Sequence, residues 1–165
     1  MISREPPKSR AREWLGVLTL AGYATIVLLA TLWPTPLDQG YEASIDKLFS
    51  VLYRNGVPLW FGYNKLEFTA NVFMFIPLGF LVALLLSARI WWLALIICPA
   101  ASIAIELTQS LVLTARFATV IDVVSNSIGA IIGILIAVIL RAIVEKRDQK
   151  VIARVLYQRG IPDSC

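Results

Sequence analysis

The chain has 165 residues, 58% of them hydrophobic and 16% charged, with a net charge of +4 and no histidine; its mean hydropathy is +0.75. Soluble domains are about 45–50% apolar, so an ordinary soluble fold is excluded, and the missing histidines remove the commonest proton shuttle and metal ligand. The positive charge flanks apolar runs, where anionic lipid headgroups account for it; nucleic acid is not expected as a partner.

Four apolar runs, at about 14–33, 66–87, 90–113 and 120–140, reach the length of roughly 18 or more residues that reads as a bilayer-spanning helix. No room is left for a soluble domain, so residues 1–165 form one membrane domain. The first run follows Arg4, Lys8, Arg10 and Arg12 and ends at Trp33-Pro34-Thr35-Pro36. It is too long for a signal-peptide core and no A-x-A cleavage site follows, so it reads as a retained helix.

The next segment, about 34–65, is more than a tether. Ile45, Leu48, Phe49, Leu52 and Tyr53 recur at helical spacing, with Asp46, Lys47 and Arg54 on the other face. Ser44 is the expected N-cap and Asn55-Gly56 the expected stop. The pattern predicts a short helix, either lying in the outer membrane interface or packed on the outer ends of the bundle. Trp60, Phe61 and Tyr63 on one side and Trp91-Trp92 on the other read as depth anchors.

Pro77 interrupts the second span and Pro99 the third. Each frees a backbone carbonyl and can kink its helix, which membranes tolerate where neighbours restore the lost bonds. After the fourth span, Val144, Val151, Ile152, Val155 and Leu156 lie among many charges, and Gly160 and Pro162 follow. This basic tail, 141–165, reads as an extension of the fourth helix or as a helix on the inner leaflet. Cys98 lies inside a span and Cys165 is the last residue, so a disulfide is not expected.

Lys and Arg concentrate at the N-terminus, at Arg89 and in the tail, while Lys47, Arg54, Lys65 and Arg116 lie on the opposite side. The positive-inside rule then places both termini in the cytoplasm. The fold class expected is an all-α polytopic membrane bundle of four transmembrane helices, N-in and C-in, with a short interfacial helix in the first outer loop.

Polar residues interrupt the apolar runs near their outer ends. With about 1.5 Å of rise per residue, Asn71 and Asn126 fall roughly 8–9 Å below the outer boundary, Glu106 roughly 10 Å and Gln109 roughly 6 Å, with Asp122 just inside it. Ser102, Glu106 and Gln109 share one helix face. Asp122, Asn126, Gly129 and Gly133 form a second stripe, whose glycines allow close helix approach. Glu67, Asn71 and Phe75 line up on the second span. Arg116, in the loop between the two most polar helices, can grip a carboxylate or an anionic ligand with two hydrogen bonds. The alternative is an internal ion pair with Asp122 or Glu106, against which stands that locking a bundle does not require two acids, three amides and an arginine at one depth. Ionisable groups at such depths are costly and point to function.

The run Asn71-Val72-Phe73-Met74-Phe75-Ile76-Pro77-Leu78-Gly79, followed by Ser102-x-x-x-Glu106-x-x-Gln109, Arg116, Asp122-x-x-x-Asn126 and Gly129, resembles the two sequence blocks of the VanZ-like family. The resemblance covers about residues 15–140 and implies a small bacterial multi-span protein of the cell membrane. One family member is linked to low-level resistance to teicoplanin, a lipid-tailed glycopeptide. Pro77, Gly79, Gly129 and Gly133 are expected to serve helix packing.

The leading functional expectation is a site in the outer leaflet for an amphiphilic cell-envelope ligand, such as a lipid-linked cell-wall precursor, a polyprenyl phosphate or a lipidated glycopeptide. Arg116 would take an anionic group, Asn71, Gln109 and Asn126 would bond sugar or amide groups, and Glu106 and Asp122 would orient them. Other readings are an enzyme using Glu106 and Asp122 as an acid–base pair, a version in which carboxylates and amides hold Mg²⁺ or Ca²⁺, a small transporter or lipid scramblase completed by homo-oligomerisation, and a structural membrane partner. No cofactor is expected.

Overall fold

The computed structural model describes residues 10–32, 40–112 and 119–159. These residues form five α-helices: α1 (Arg10–Thr31), α2 (Glu42–Arg54), α3 (Tyr63–Leu85), α4 (Ala94–Val112) and α5 (Val120–Gln158), with a single 3-10 turn at Trp91–Leu93 leading into α4. The described residues contain no strand. Four helices, α1, α3, α4 with its leading turn, and α5, are long and apolar enough to cross a membrane. Only a closed helix satisfies every backbone donor within its own segment in hydrocarbon. Large apolar side chains accordingly stay exposed along the outside of the bundle, among them Leu18, Ile26, Leu107, Ile121 and Ile139.

The tightest contact joins α3 to α5. Gly79 meets the backbone of Ala130, Gly129 that of Val72, and Gly133 the carbonyl of Ile76 and the amide of Phe80. A methyl group at any of the three would collide with main chain, which cannot rotate away as a side chain can. Glycine is needed here for proximity rather than for conformation, and the two helices are held by dispersion over nearly touching backbones. Below this contact Ala83, Ala94, Cys98, Ala130, Ile134 and Ala137 pack α3, α4 and α5 together. Small side chains again keep the helices near.

On its other side α3 meets α1, where Val27, Phe75, Leu78 and Ile105 form a second cluster that also reaches α4. Pro77 does not break α3, nor Pro99 α4. Pro77 leaves the Phe73 carbonyl without its helical donor. One residue further, the Met74 carbonyl accepts a 2.8 Å hydrogen bond from the Tyr23 hydroxyl of α1.

The expected short helix is present as α2. It begins at Glu42 with Tyr41 in the N-cap position, so Ser44 lies inside the helix and is not its cap. Asn55-Gly56 does end it. The Asn55 side chain donates to the Val51 carbonyl at 2.8 Å, and Gly56 takes the left-handed backbone (φ 90°) that closes helices. None of its residues is buried, and Ile45, Phe49, Leu52 and Tyr53 are half-buried. Phe49 and Tyr53 stack at 5.7 Å, and the Tyr53 hydroxyl donates to the Phe61 carbonyl at 3.1 Å. Lys65 places its ammonium 3.6 Å from the Trp60 ring centre.

The tail is an extension of the fourth span and not a separate helix. α5 runs unbroken through 39 residues, about 58 Å at the helical rise, roughly twice the hydrocarbon thickness. Where the apolar stretch ends, the Arg141 guanidinium donates to the carbonyls of Ala83 (3.0 Å), Leu84 (3.2 Å) and Leu86 (2.9 Å). It thereby satisfies the orphan carbonyls at the C-terminus of α3, where a positive charge also suits the helix dipole. Pro34, Pro36, Arg116, Gly160 and Pro162 lie outside the described residues.

Two consequences are measurable by unfolding in detergent. Gly129→Val should lower stability by about 3 kcal/mol or abolish the folded yield, whereas Gly22→Ala, with open space around it, should be neutral or slightly stabilising. Arg141→Ala should cost about 1 kcal/mol, and Arg141→Lys should recover part of it.

Candidate functional site

All four spans contribute to one polar end of the bundle, where α1 and α4 finish and α3 and α5 begin. Asn71 stands in the third turn of α3, Asp122 in the first turn of α5 and Asn126 one turn further, while Glu106 and Gln109 occupy the last two turns of α4. The antiparallel alternation of the spans brings these positions to one level.

Asp122 is placed by its own helix. Thr119 is the N-cap of α5 and accepts a hydrogen bond from the Asp122 amide at 3.2 Å. The Thr119 hydroxyl donates in turn to Asp122 Oδ2 at 2.7 Å. A threonine three residues before an acid is a helix-start signal legible in sequence. The carboxylate sits where the positive end of the helix dipole favours it. Its other oxygen, Oδ1, accepts from Asn71 Nδ2 at 2.9 Å, joining α5 to α3 above the glycine contact.

One turn deeper, the Asn126 side chain donates through Nδ2 to Ser102 Oγ on α4 at 3.0 Å. Asn126 is 2% exposed and Ser102 is fully buried. Asn126 Oδ1 receives no hydrogen bond among the described residues. Glu106, one turn along from Ser102, is 7% exposed. The third link runs to α1, where Gln109 Nε2 donates to the Thr31 carbonyl at 2.7 Å. Thr31 is the last residue of α1, so Gln109 donates to a carbonyl at the end of that helix.

The sequence-derived residues thus separate by geometry. Asn71 and Asp122 are paired directly, Asn126 is tied to Ser102, Gln109 ties α4 to α1, and Glu106 is buried on the same α4 face. Glu67, aligned with Asn71 and Phe75 along α3, is exposed, whereas Phe75 is fully buried. Arg116 lies outside the described residues. Thr31, Thr119 and Tyr23 were not singled out by sequence. Thr119 carried a signal in its spacing to Asp122, but the bonds of Thr31 and Tyr23 join main chain to side chain across distant parts of the chain and leave no local pattern. Among the described residues no three His, Cys, Asp or Glu side chains gather as a metal site.

The model of the VanZ/LLP1 family matches residues 20–141, a stretch that runs from α1 through all the polar positions to the arginine capping α3. The chain belongs to the VanZ-like family. No curated protein and no solved structure matches it.

The buried pair is testable by a double-mutant cycle. Ser102→Ala leaves the Asn126 amide without its partner and should destabilise the protein in detergent, as should Asn126→Leu. The two changes together should cost less than their sum, with a coupling of about 1 kcal/mol; strict additivity would show that the bond carries nothing.

Proposed function

We propose that this VanZ-like membrane protein holds the headgroup of an amphiphilic cell-envelope ligand at its polar end, and that its bacterial host uses it against glycopeptides with a lipid tail, such as teicoplanin. The observation that carries this reading is the convergence of Asn71, Asp122, Asn126, Ser102 and the buried Glu106 from three spans at one level. Holding helices together in hydrocarbon needs only small residues and dispersion, which the glycine contact already supplies. Glu106 is buried in α4 as well, and ionisable groups in spans mark ligand or ion sites.

The basic distribution supports the orientation of this reading. Arg89, Arg141 and the tail lie at the end opposite the cluster, so the positive-inside rule directs the polar end outward and both termini inward. In that frame α2 is an interfacial helix. Ile45, Leu48, Phe49, Leu52 and Tyr53 turn toward acyl chains, Trp60 sits at headgroup level, and Lys65 lies over its ring. The ligand tail would then lie among lipids or between spans, with its head against Asp122 and Asn126. Arg116, between α4 and α5 in the sequence, is the residue proposed to take an anionic group of the same ligand.

Expression in a glycopeptide-sensitive bacterium tests the reading. The inhibitory concentration of teicoplanin should rise several-fold while that of a glycopeptide without a lipid tail stays unchanged, and Asp122→Ala with normal membrane levels should abolish the rise. An equal effect on both drugs, or full protection by the Asp122 variant, would overturn it. A thiol introduced at Lys150 should be labelled only from the cytoplasmic side.

A further inference from the structure

The amide groups at the polar end are turned with their nitrogens toward protein acceptors. Asn71 Nδ2 bonds Asp122, Gln109 Nε2 bonds the Thr31 carbonyl, and Asn126 Nδ2 bonds Ser102. The amide oxygens stay outside these three bonds. The Asp122 carboxylate is half-buried, and Asn126 Oδ1, on a residue only 2% exposed, meets no donor among the described residues. A buried acceptor in this position carries a desolvation cost that an arriving N–H or O–H would remove.

We infer that the helical part of the site receives a hydrogen-bond-donating headgroup, a glycosyl hydroxyl or an ammonium, and disfavours a bare phosphate. The inference rests on the amphiphile reading above and narrows the ligand to one chemistry. A phosphate group presents chiefly acceptor oxygens and negative charge, and here it would face a carboxylate and an amide oxygen. The usual anion-binding feature of a helix, its free N-terminal amides, is also partly taken. The Asp122 amide of α5 is bonded to Thr119, and the Asp122 carboxylate supplies the negative charge that the dipole attracts. A sugar hydroxyl or an ammonium brings the donor that Asn126 Oδ1 lacks, and it can share the Asp122 carboxylate, whose two oxygens already accept from Asn71 and Thr119.

Native mass spectrometry on the full-length protein in micelles tests this with four dioctanoyl lipids that differ only in head: glucosyl diacylglycerol, phosphatidylethanolamine, phosphatidic acid and phosphatidylcholine. At least one of the first two should bind about tenfold tighter than either of the last two, since a site built for donors rejects analogues without them. The tighter of the first two identifies the source as hydroxyl or ammonium. Asn126→Leu should erase the preference without weakening phosphatidylcholine. Should that variant not fold, Ser102→Ala serves instead, because it releases Asn126 Nδ2 as a donor and should narrow the preference at least about threefold. Phosphatidic acid binding as tightly as both donor lipids, a preference untouched by whichever variant folds, or a loss shared equally by all four lipids would overturn the inference while leaving an amphiphile site in place. Absence of selective binding by any of the four would remove both readings.

Discussion

The bundle depends on two backbones that nearly touch. Where α3 crosses α5, Gly79, Gly129 and Gly133 leave no space for even a methyl group. In a bilayer lipid tails are as apolar as leucine side chains, so burying apolar surface gives helices little reason to associate, and close packing has to do it. That contact sets the register of α3 on α5. The register places Asn71 beside Asp122 and directs Asn126, three residues before Gly129, toward Ser102 on α4.

Polar groups in such a frame are constrained as strictly as the glycines. Each amide described at the polar end makes a bond to another helix, and each bond has a second effect. Gln109 closes the end of α1, and Asp122 closes the start of α5 while holding α3. The same economy appears at the opposite end, where Arg141 gathers the last carbonyls of α3. The two ends differ in what they leave over. At the basic end the orphan groups are carbonyls and the residue that meets them is an arginine, so charge and partner balance. At the polar end the buried Asn126 Oδ1 is left without a donor among the described residues. That buried acceptor supports the inference about the headgroup, because helix packing does not call for it.

The continuous α5 links these ends to a third region. No glycine or proline interrupts it between Gly133 and Gln158, and its basic half continues as helix with Val144, Val151 and Ile152 exposed. Arg141 marks the boundary between the buried and the free half, and the family match stops at the same residue.

Much of this was legible from residues alone. Four long apolar runs separated by charged turns have one solution in a bilayer, so the number and type of spans followed from composition, and the stripe Asp122, Asn126, Gly129, Gly133 announced both a polar face and a packing face by helical spacing. Asn55-Gly56 marked the end of α2 because only glycine adopts that backbone cheaply. Periodicity is local and reports which face a residue shares, not what the face meets. Tertiary structure alone decided that Asn126 bonds Ser102 while Gln109 bonds the main chain of Thr31, that Tyr23 reaches Met74, that the tail continues α5, and that Arg141 caps another helix. Those contacts join residues as much as 78 positions apart, and no spacing rule spans such a distance; the glycine contact sets the register of α3 on α5, and the packing of α1 and α4 around that pair sets the rest.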